Sequence, residues 1–256
     1  MGWDISPPGA KRRKISRPTR ITHPPSKTST YSPDVDFILI FSWDINGIAP
    51  FLQKLLTSYF QSCKSSVNKS SIPPPSLQGF LQCHNWPAIL FLHEVKIATK
   101  DIKTQNLVRI AVNTCSQSEK YSSGSIYDIH FTLPNDPHNA RGLRGNGKVY
   151  GVCSIIRSYL SSTVTSIKVR TVDWDKEGRV SVVELDSPNF NLALFNIYAV
   201  NSTDNPYRNP PTGAVSGSQR DRKLAFHKLL MEECISLEVS GRQALIVGDI
   251  NVAPDV

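Results

Sequence analysis

Short apolar runs alternate with polar turns from residue 36 onward, which is the pattern of a folded α/β protein. The run from Phe37 to Trp43 predicts a buried strand that enters a turn at Gly47, and residues 88–95 predict a second buried strand. Between them, apolar side chains recur at helical spacing over 49–61 and predict a helix with one apolar face. Three prolines within residues 62–79 predict a loop.

The second half of the chain is dominated by segments rich in β-branched and aromatic residues, which predict strands. Five such segments follow one another with turn residues between them: 126–134, 148–157, 165–174, 178–186 and 190–200. Strands joined both by helices and by short turns indicate a mixed sheet with helices outside it.

Two helices, a loop and a final strand complete the predicted order. Residues 100–118 are compatible with a helix, and 201–219, rich in Pro, Asn, Gly and Ser, predict a long loop. Apolar residues at helical spacing over 220–238 predict a helix that stops at Gly241. Residues 244–252 predict a last buried strand.

The positive charge of the chain is concentrated at its N-terminus. The net charge is +8, but residues 1–30 hold seven basic residues and one acid, which leaves only +2 for the remainder. Few large apolar side chains occur in residues 1–34, so we predict a disordered basic tail there and one folded domain over 35–256. The run Lys11 to Lys14 is typical of a nuclear import signal; the alternative is a solvated basic segment that binds phosphates without specificity.

Cysteine usage and hydropathy indicate in which cellular compartment the protein is expected. The five cysteines are odd in number and form no Cys-x-x-Cys pair, which argues against a zinc site and favours a nuclear or cytoplasmic protein over a secreted one. The N-terminus has no apolar signal segment, and the longest apolar runs are too short to span a bilayer. We therefore expect no membrane association, and no protein partner can be inferred.

Polar side chains stand at the ends of three predicted strands. They are Asp44 and Asn46 after the first strand, Glu94 after the second, and Asp249 and Asn251 in the last. Since residues i and i+2 of a strand face the same way, each Asp is expected to share a face with its Asn. Carboxylate and amide oxygens are the ligands that Mg²⁺ prefers. Taken singly, each cluster is also an ordinary turn sequence.

Taken together and in order, six segments resemble the motifs of exodeoxyribonuclease III-like abasic-site endonucleases, in the wider endonuclease/exonuclease/phosphatase (DNase I-like) family. They are SWDING, LFLHEVKI, EGRVSVVELD, LFNIYAVN, DRKLAFHKLL and VGDINVAP. The resemblance covers residues 36–255 and implies an α/β (α+β) fold, a four-layer sandwich of two mixed β-sheets flanked by helices. It also implies hydrolysis of phosphodiester bonds in DNA, with Mg²⁺, or alternatively Mn²⁺, as the cofactor.

The resemblance implies that the first two motifs bind the metal. Glu94 matches the metal-binding Glu of the family, and Asn46 matches the second ligand-region residue of the first motif. Asp44 stands where these repair enzymes usually have Asn, so it adds either a metal ligand or a charge that repels phosphate. His93 replaces a usual Gln, and with no His or Cys at metal spacing we interpret it as a packing or supporting residue.

The later motifs imply the residues that handle the substrate. Tyr198 and Asn201 match residues that contact the scissile phosphate. Asp249 matches the Asp that transfers a proton, and Asn251 matches the neighbouring Asn that orients the phosphate or the metal. A terminal Ser-Asp-His motif of the family has no counterpart before Val256, so the resemblance implies a C-terminally truncated domain with an incomplete second sheet and impaired activity.

Three functions are consistent with these observations. The first is a Mg²⁺-dependent endonuclease or exonuclease of DNA repair. The second keeps the same fold but acts on another substrate, such as RNA or a DNA end adduct, because a fold does not fix a substrate. The third is a non-catalytic remnant that binds nucleic acid through its basic tail.

Overall fold

The structure is a computed structural model that describes residues 37–52, 77–113, 126–139 and 150–252. The strands are β1 (Ile40–Asp44), β2 (Ile89–His93), β3 (Tyr127–Thr132), β4 (Val152–Arg157), β5 (Ser166–Thr171), β6 (Val180–Ser187), β7 (Phe190–Tyr198), β8 (Pro206–Arg208), β9 (Val215–Ser218) and β10 (Gln243–Asp249). The α-helices are α1 (Leu77–Cys83), α2 (Ile102–Asn113) and α3 (Gln219–Val239). The predicted basic tail, its import signal and most of the predicted helix over 49–61 lie outside the described residues.

The strands form two four-stranded mixed sheets. The first has the order β1-β2-β4-β3, in which β1 and β2 are parallel and the other pairs are antiparallel. The second has the order β10-β7-β6-β5, in which β10 and β7 are parallel and the other pairs are antiparallel. Strands β8 and β9 pair separately as a hairpin. Each sheet therefore contains one parallel pair, whose two carboxyl ends lie at the same edge of that sheet.

Three buried clusters show that helices and sheets are stacked in four layers. Alternate residues of β2 divide between two of them: Leu90 and Leu92 pack in the cluster that contains α1 and α2, whereas Ile89 and Phe91 pack against residues of the second sheet. The third cluster joins the other face of the second sheet to Phe226 of α3. This alternation follows from the two-residue period of a strand. The predicted α/β sandwich of two mixed sheets flanked by helices is confirmed.

Most of the predicted elements are confirmed, but the predicted burial of two strands is wrong. All five residues of β2 are buried, as expected. Strand β1 begins only at Ile40 and is half-buried, and Phe37 before it is 70% exposed. Strand β10 is also largely exposed, with Leu245 at 48%. Both strands end their sheets among the described residues, so neighbours cover them from one side only.

Two predicted loops contain regular structure. Residues 77–79 belong to α1, whose Leu77 and Leu81 fill the core beneath the first sheet. The predicted loop 201–219 contains the β8–β9 hairpin. Helix α3 begins directly after this hairpin with a capping box, in which Ser218 and Asp221 each accept a backbone N–H from the other. None of the described helices is sufficiently long and apolar to cross a membrane.

Candidate active site

Strands β1 and β10 each end in an Asp-Ile-Asn turn, and the two turns have the same geometry. In each, the backbone N–H of the Asn donates to Oδ1 of the Asp, at 3.2 Å for Asn46 to Asp44 and 2.9 Å for Asn251 to Asp249. Both Asn residues have left-handed backbones, with φ of 47° and 51°. Such side-chain-to-backbone turns are a local property of Asp and Asn. The expectation that strand alternation makes each Asn share a face with its Asp is therefore wrong, because each strand ends at the Asp.

The turn after β2 has a strained backbone. Glu94 has φ of 53° and Lys96 has φ of 54°, although neither residue type has the local hydrogen bonding that eases this conformation for Asn. Glu94 is nevertheless held in place, since Val95 between the two donates its N–H to the carbonyl of Gly151 at 3.0 Å. Strain of this kind concentrates at functional sites.

Lys96 supplies a cation at the point where two predicted metal ligands meet. Its Nζ lies 3.3 Å from Oε1 of Glu94 and also donates to Oδ1 of Asn46. The oxygens of Glu94 and Asn46 therefore converge on one positive charge. Lys96 is a site residue for which the sequence offers one signal, its place two residues after Glu94.

Tyr198 joins the second sheet to this cluster. Its phenol lies close to the carboxylate of Glu94 and within the electrostatic influence of Asp44. Burial, followed by the charge of Glu94, raises the pKa of Tyr198 well above its ordinary value. Tyr198 is therefore a neutral O–H donor at physiological pH, suited to donating a hydrogen bond rather than to accepting a proton.

His93 fills the space between the two Asp residues. Its side chain is fully buried, and its Nε2 lies 3.4 Å from Oγ of Ser42. The negative charges of Asp44 and Asp249 both act on the imidazole. Burial lowers the pKa of His93, although the two carboxylates and Asn196 act in the opposite direction. This placement agrees with its interpretation as a packing residue. It also brings Asp249 to the side of the cluster formed by Asp44, Glu94 and Tyr198.

The buried imidazole leads to a prediction about pH and stability. Because the pKa of His93 is lower in the folded protein, the unfolded chain binds the proton more readily, and stability falls as the pH drops below about 6.5, the ordinary value. We expect His93→Gln to reduce this fall, measured as the difference in Tm between pH 8 and pH 5.5 in EDTA. The exposed His138→Gln is the control and keeps the wild-type difference. An unchanged pH dependence in His93→Gln contradicts the prediction.

Asn251 and Asn201 are placed differently from the other predicted residues. The side-chain amide of Asn251 donates to the backbone carbonyl of Ala199 at 2.8 Å, and the backbone carbonyl of Asn251 accepts from Nζ of Lys223 on α3 at 2.6 Å. Asn251 thus ties β10 to the chain after β7 and to α3. Asn201 is exposed, and none of the described contacts connects it to the cluster.

The oxygen ligands fit a hard divalent cation that retains much of its water. Among the described residues, no group of three or more His, Cys, Asp and Glu side chains forms a metal site. Glu94 and Asn46, which already converge on the Lys96 ammonium, supply one carboxylate and one amide oxygen. Mg²⁺ is commonly held by one or two carboxylates together with water and substrate phosphate. The donor set is therefore chemically suited to Mg²⁺.

The chain is similar in structure to three solved proteins. The catalytic domain of Xenopus laevis APE2 matches with a TM-score of 0.43 and 16% identity, over 83% of this chain and 58% of that chain. The AP endonuclease LMAP from Leishmania major matches with a TM-score of 0.38 and 18% identity, over 64% of this chain and 40% of that chain. TDP2 from C. elegans matches with a TM-score of 0.44 and 14% identity, over 84% of this chain and 48% of that chain. This chain thus spans about half the length of these proteins. No protein-family model and no curated protein matches the sequence.

Proposed function

We propose that this chain carries the site of a divalent-metal-dependent phosphodiester hydrolase that acts on DNA, of the abasic-site endonuclease type. One observation carries the proposal: polar side chains from the ends of four strands in two sheets meet at one place. Glu94 follows β2, Asp44 ends β1, Tyr198 ends β7 and Asp249 ends β10. Hydrolysis of a phosphodiester requires groups that stabilise negative charge and a group that moves a proton, and this cluster contains both kinds.

In this proposal Glu94 and Asn46, with Asp44 beside them, hold Mg²⁺ or Mn²⁺. When bound, the cation neutralises charge on the phosphate and lowers the pKa of water. The Lys96 ammonium lies against the same two oxygens and offsets part of their negative charge. In this proposal Asp44 is a metal ligand, because its Oδ1 accepts the N–H of Asn46 and its charge acts on the phenol of Tyr198.

The remaining residues act on the substrate in this proposal. Tyr198 donates its O–H to a phosphate oxygen, and the raised pKa keeps that proton in place. One carboxylate oxygen of Asp249 accepts the N–H of Asn251, which orients the group and leaves the other oxygen to transfer a proton. Asn251 keeps β10 aligned with Ala199. In this proposal Asn201, which is exposed in the segment after β7, contacts a phosphate oxygen.

A cleavage assay tests the proposal. We expect this chain to cut a duplex containing one synthetic abasic site in Mg²⁺ but not in EDTA. Glu94→Gln keeps the shape of the side chain but removes its charge, and we expect it to lower kcat about a hundredfold, as removal of a single charge-stabilising group does in other enzymes. Glu232→Gln, an exposed change on α3, is the matched control and keeps wild-type activity.

Three outcomes of that assay separate the proposal from its alternatives. Cleavage only of RNA or of a DNA end adduct assigns the same site to another substrate. Binding that is lost on deletion of residues 1–34 but is insensitive to Glu94→Gln, with no cleavage of any substrate, supports the non-catalytic remnant. Metal-independent cleavage contradicts the proposed chemistry. Nuclear localisation remains a prediction, tested by replacing the basic run that begins at Lys11.

A further inference from the structure

A buried arginine lies directly behind Tyr198. Arg179 immediately precedes β6, and only 3% of its side chain is exposed. An isolated buried guanidinium is costly, so its neighbours indicate what holds it there. Burial tends to lower the pKa of Arg179, but Glu177, Tyr150 and Asp175 together outweigh this effect and leave the pKa raised, so the group is always charged.

The contacts of Arg179 with Tyr198 involve both the backbone and the ring. Nη1 of Arg179 donates to the carbonyls of Tyr198 at 3.2 Å and Ala199 at 3.3 Å, and the Arg179 carbonyl accepts the N–H of Tyr198 at 2.9 Å. The guanidinium carbon also lies 5.4 Å from the centre of the Tyr198 ring. The position of Tyr198 is thus set by one residue that contacts it through both its backbone and its side chain.

A second tyrosine covers the guanidinium. The guanidinium carbon of Arg179 lies 3.7 Å from the ring centre of Tyr150, and the Tyr150 and Tyr198 ring centres are 6.2 Å apart. Cation–π contact at this distance fixes the plane of a guanidinium as well as its position. Tyr150 is followed by Gly151, whose carbonyl accepts the N–H of Val95 next to Glu94. The same short segment therefore contacts both the arginine and the turn that carries Glu94.

Acidic side chains hold Arg179 rigidly from behind. Oε2 of Glu177 accepts from its Nε at 2.9 Å, and Oε1 of Glu177 accepts from Nε of Arg222 on α3 at 3.1 Å. Asp175 accepts the backbone N–H groups of Glu177, Arg179 and Val180. These contacts leave Nη1 of Arg179 directed at the backbone of β7, so the arginine transmits the rigidity of α3 and this loop to Tyr198.

We propose that Arg179, fixed by Glu177 and stacked on Tyr150, is a positioning residue that sets the location of the Tyr198 hydroxyl. The role in catalysis rests on the proposed function, whereas the effect on the Tyr198 ring does not. Arg179 and Glu177 are too deeply buried to contact substrate, so they act through Tyr198, the residue of the candidate site that the Arg179 guanidinium contacts directly. The result is a preorganised hydroxyl, which is valuable because small displacements of a catalytic group have large effects on rate.

A double-mutant cycle tests the catalytic part. Arg179→Lys keeps the charge but loses the planar donor and the stacked ring contact, and we expect kcat to fall about tenfold with KM within about twofold. In a Tyr198→Phe background, Arg179→Lys has no further effect, because its action requires the hydroxyl. Multiplying effects overturn the proposal, as does an unchanged kcat in a folded Arg179→Lys variant. Arg170→Lys removes a comparable arginine, paired with Glu184 and Glu233 on the far side of the second sheet, and keeps wild-type kcat.

Tyr150 provides a variant that leaves the buried charges intact. Tyr150→Phe keeps the ring face and therefore retains wild-type kcat, whereas Tyr150→Leu removes it and lowers kcat about tenfold, in the same manner as Arg179→Lys. If Arg179→Lys does not fold, this pair decides the question. Equal activity of the Phe and Leu variants overturns the proposal.

A readout independent of catalysis separates this inference from the proposed function. The protein is labelled with 3-fluorotyrosine, and the ¹⁹F signal of Tyr198 is assigned from the Tyr198→Phe variant. Loss of the stacked arginine should shift or broaden that signal in Arg179→Lys and in Tyr150→Leu but not in Arg170→Lys. An unmoved signal overturns the positioning role. A moved signal in a protein that cleaves no substrate supports positioning and rejects the proposed function.

Discussion

Gly248→Ala is expected to destabilise the protein by about 2–5 kcal/mol and to separate β10 from β7. The backbone at Gly248 has φ of +136°, and a Cβ there would lie 2.1 Å from the carbonyl oxygen of Ile197 and 2.8 Å from Nε2 of His93. The first of these atoms is backbone in the paired strand and cannot move without breaking the register. Overpacking costs about 1–3 kcal/mol and the strained backbone about 1–2 kcal/mol more.

Equilibrium unfolding in urea measures this loss, and Gly241→Ala is the matched control. Gly241 also has a positive φ, +83°, but a Cβ there meets no atom within 4 Å. The control therefore reports the backbone strain alone, about 1–2 kcal/mol. If both variants lose the same free energy of unfolding, the contact with Ile197 does not determine the position of β10. Gly248 immediately precedes Asp249, so this close approach of β10 to Ile197 lies next to the candidate site.

Glu177→Ala is expected to cost about 3–5 kcal/mol of the free energy of unfolding. The carboxylate of Glu177 is 1% exposed and pairs with Arg179 and Arg222, whose side chains are 3% and 7% exposed. Removing it leaves two buried guanidinium groups without their shared partner, and breaking a buried ion pair from one side has costs of this size. Thermal and urea unfolding measure the loss.

An exposed ion pair provides the comparison for Glu177. Glu232 on α3 lies 3.9 Å from Lys228, and both side chains are largely exposed. We expect Glu232→Ala to change the free energy of unfolding by less than about 0.5 kcal/mol, since water already solvates both charges. Comparable losses in the two variants would mean that burial of the Glu177 network contributes little to stability.

The order of helices and strands could be predicted because it depends on local residue pattern. Strand β2 reads as an uninterrupted apolar run, and all five of its residues are buried. Strand β10 reads in the same way, yet Leu245 is nearly half exposed. The difference lies in the neighbours: β2 lies between β1 and β4, whereas β10 pairs only with β7 among the described strands. Burial depends on sheet order, which a single segment does not encode.

The candidate site, too, could be predicted only in part from the local sequence. Glu94, Asp44 and Asp249 were predicted from motifs at strand ends, and the structure brings all three close to His93 or Tyr198. Strand alternation does not extend to the Asn two residues after each Asp, because a turn with a left-handed Asn replaces the strand at that point. Arg179 lies within a motif that predicts a strand, and nothing in the sequence reveals that its guanidinium stacks on Tyr150.

The sequence by itself determined the kinds of element, their order, and the chemical character of the residues at the strand ends. These follow from the periodicity of apolar side chains and from the conformational preferences of Asp, Asn and Gly, which act over a few residues. Only the tertiary structure decided which strands end a sheet, that the Lys96 ammonium bridges Glu94 and Asn46, and that Arg179 lies behind Tyr198. Those features depend on contacts between segments that are tens of residues apart in the sequence. The free energy of burying and pairing charged groups determines which of those contacts form.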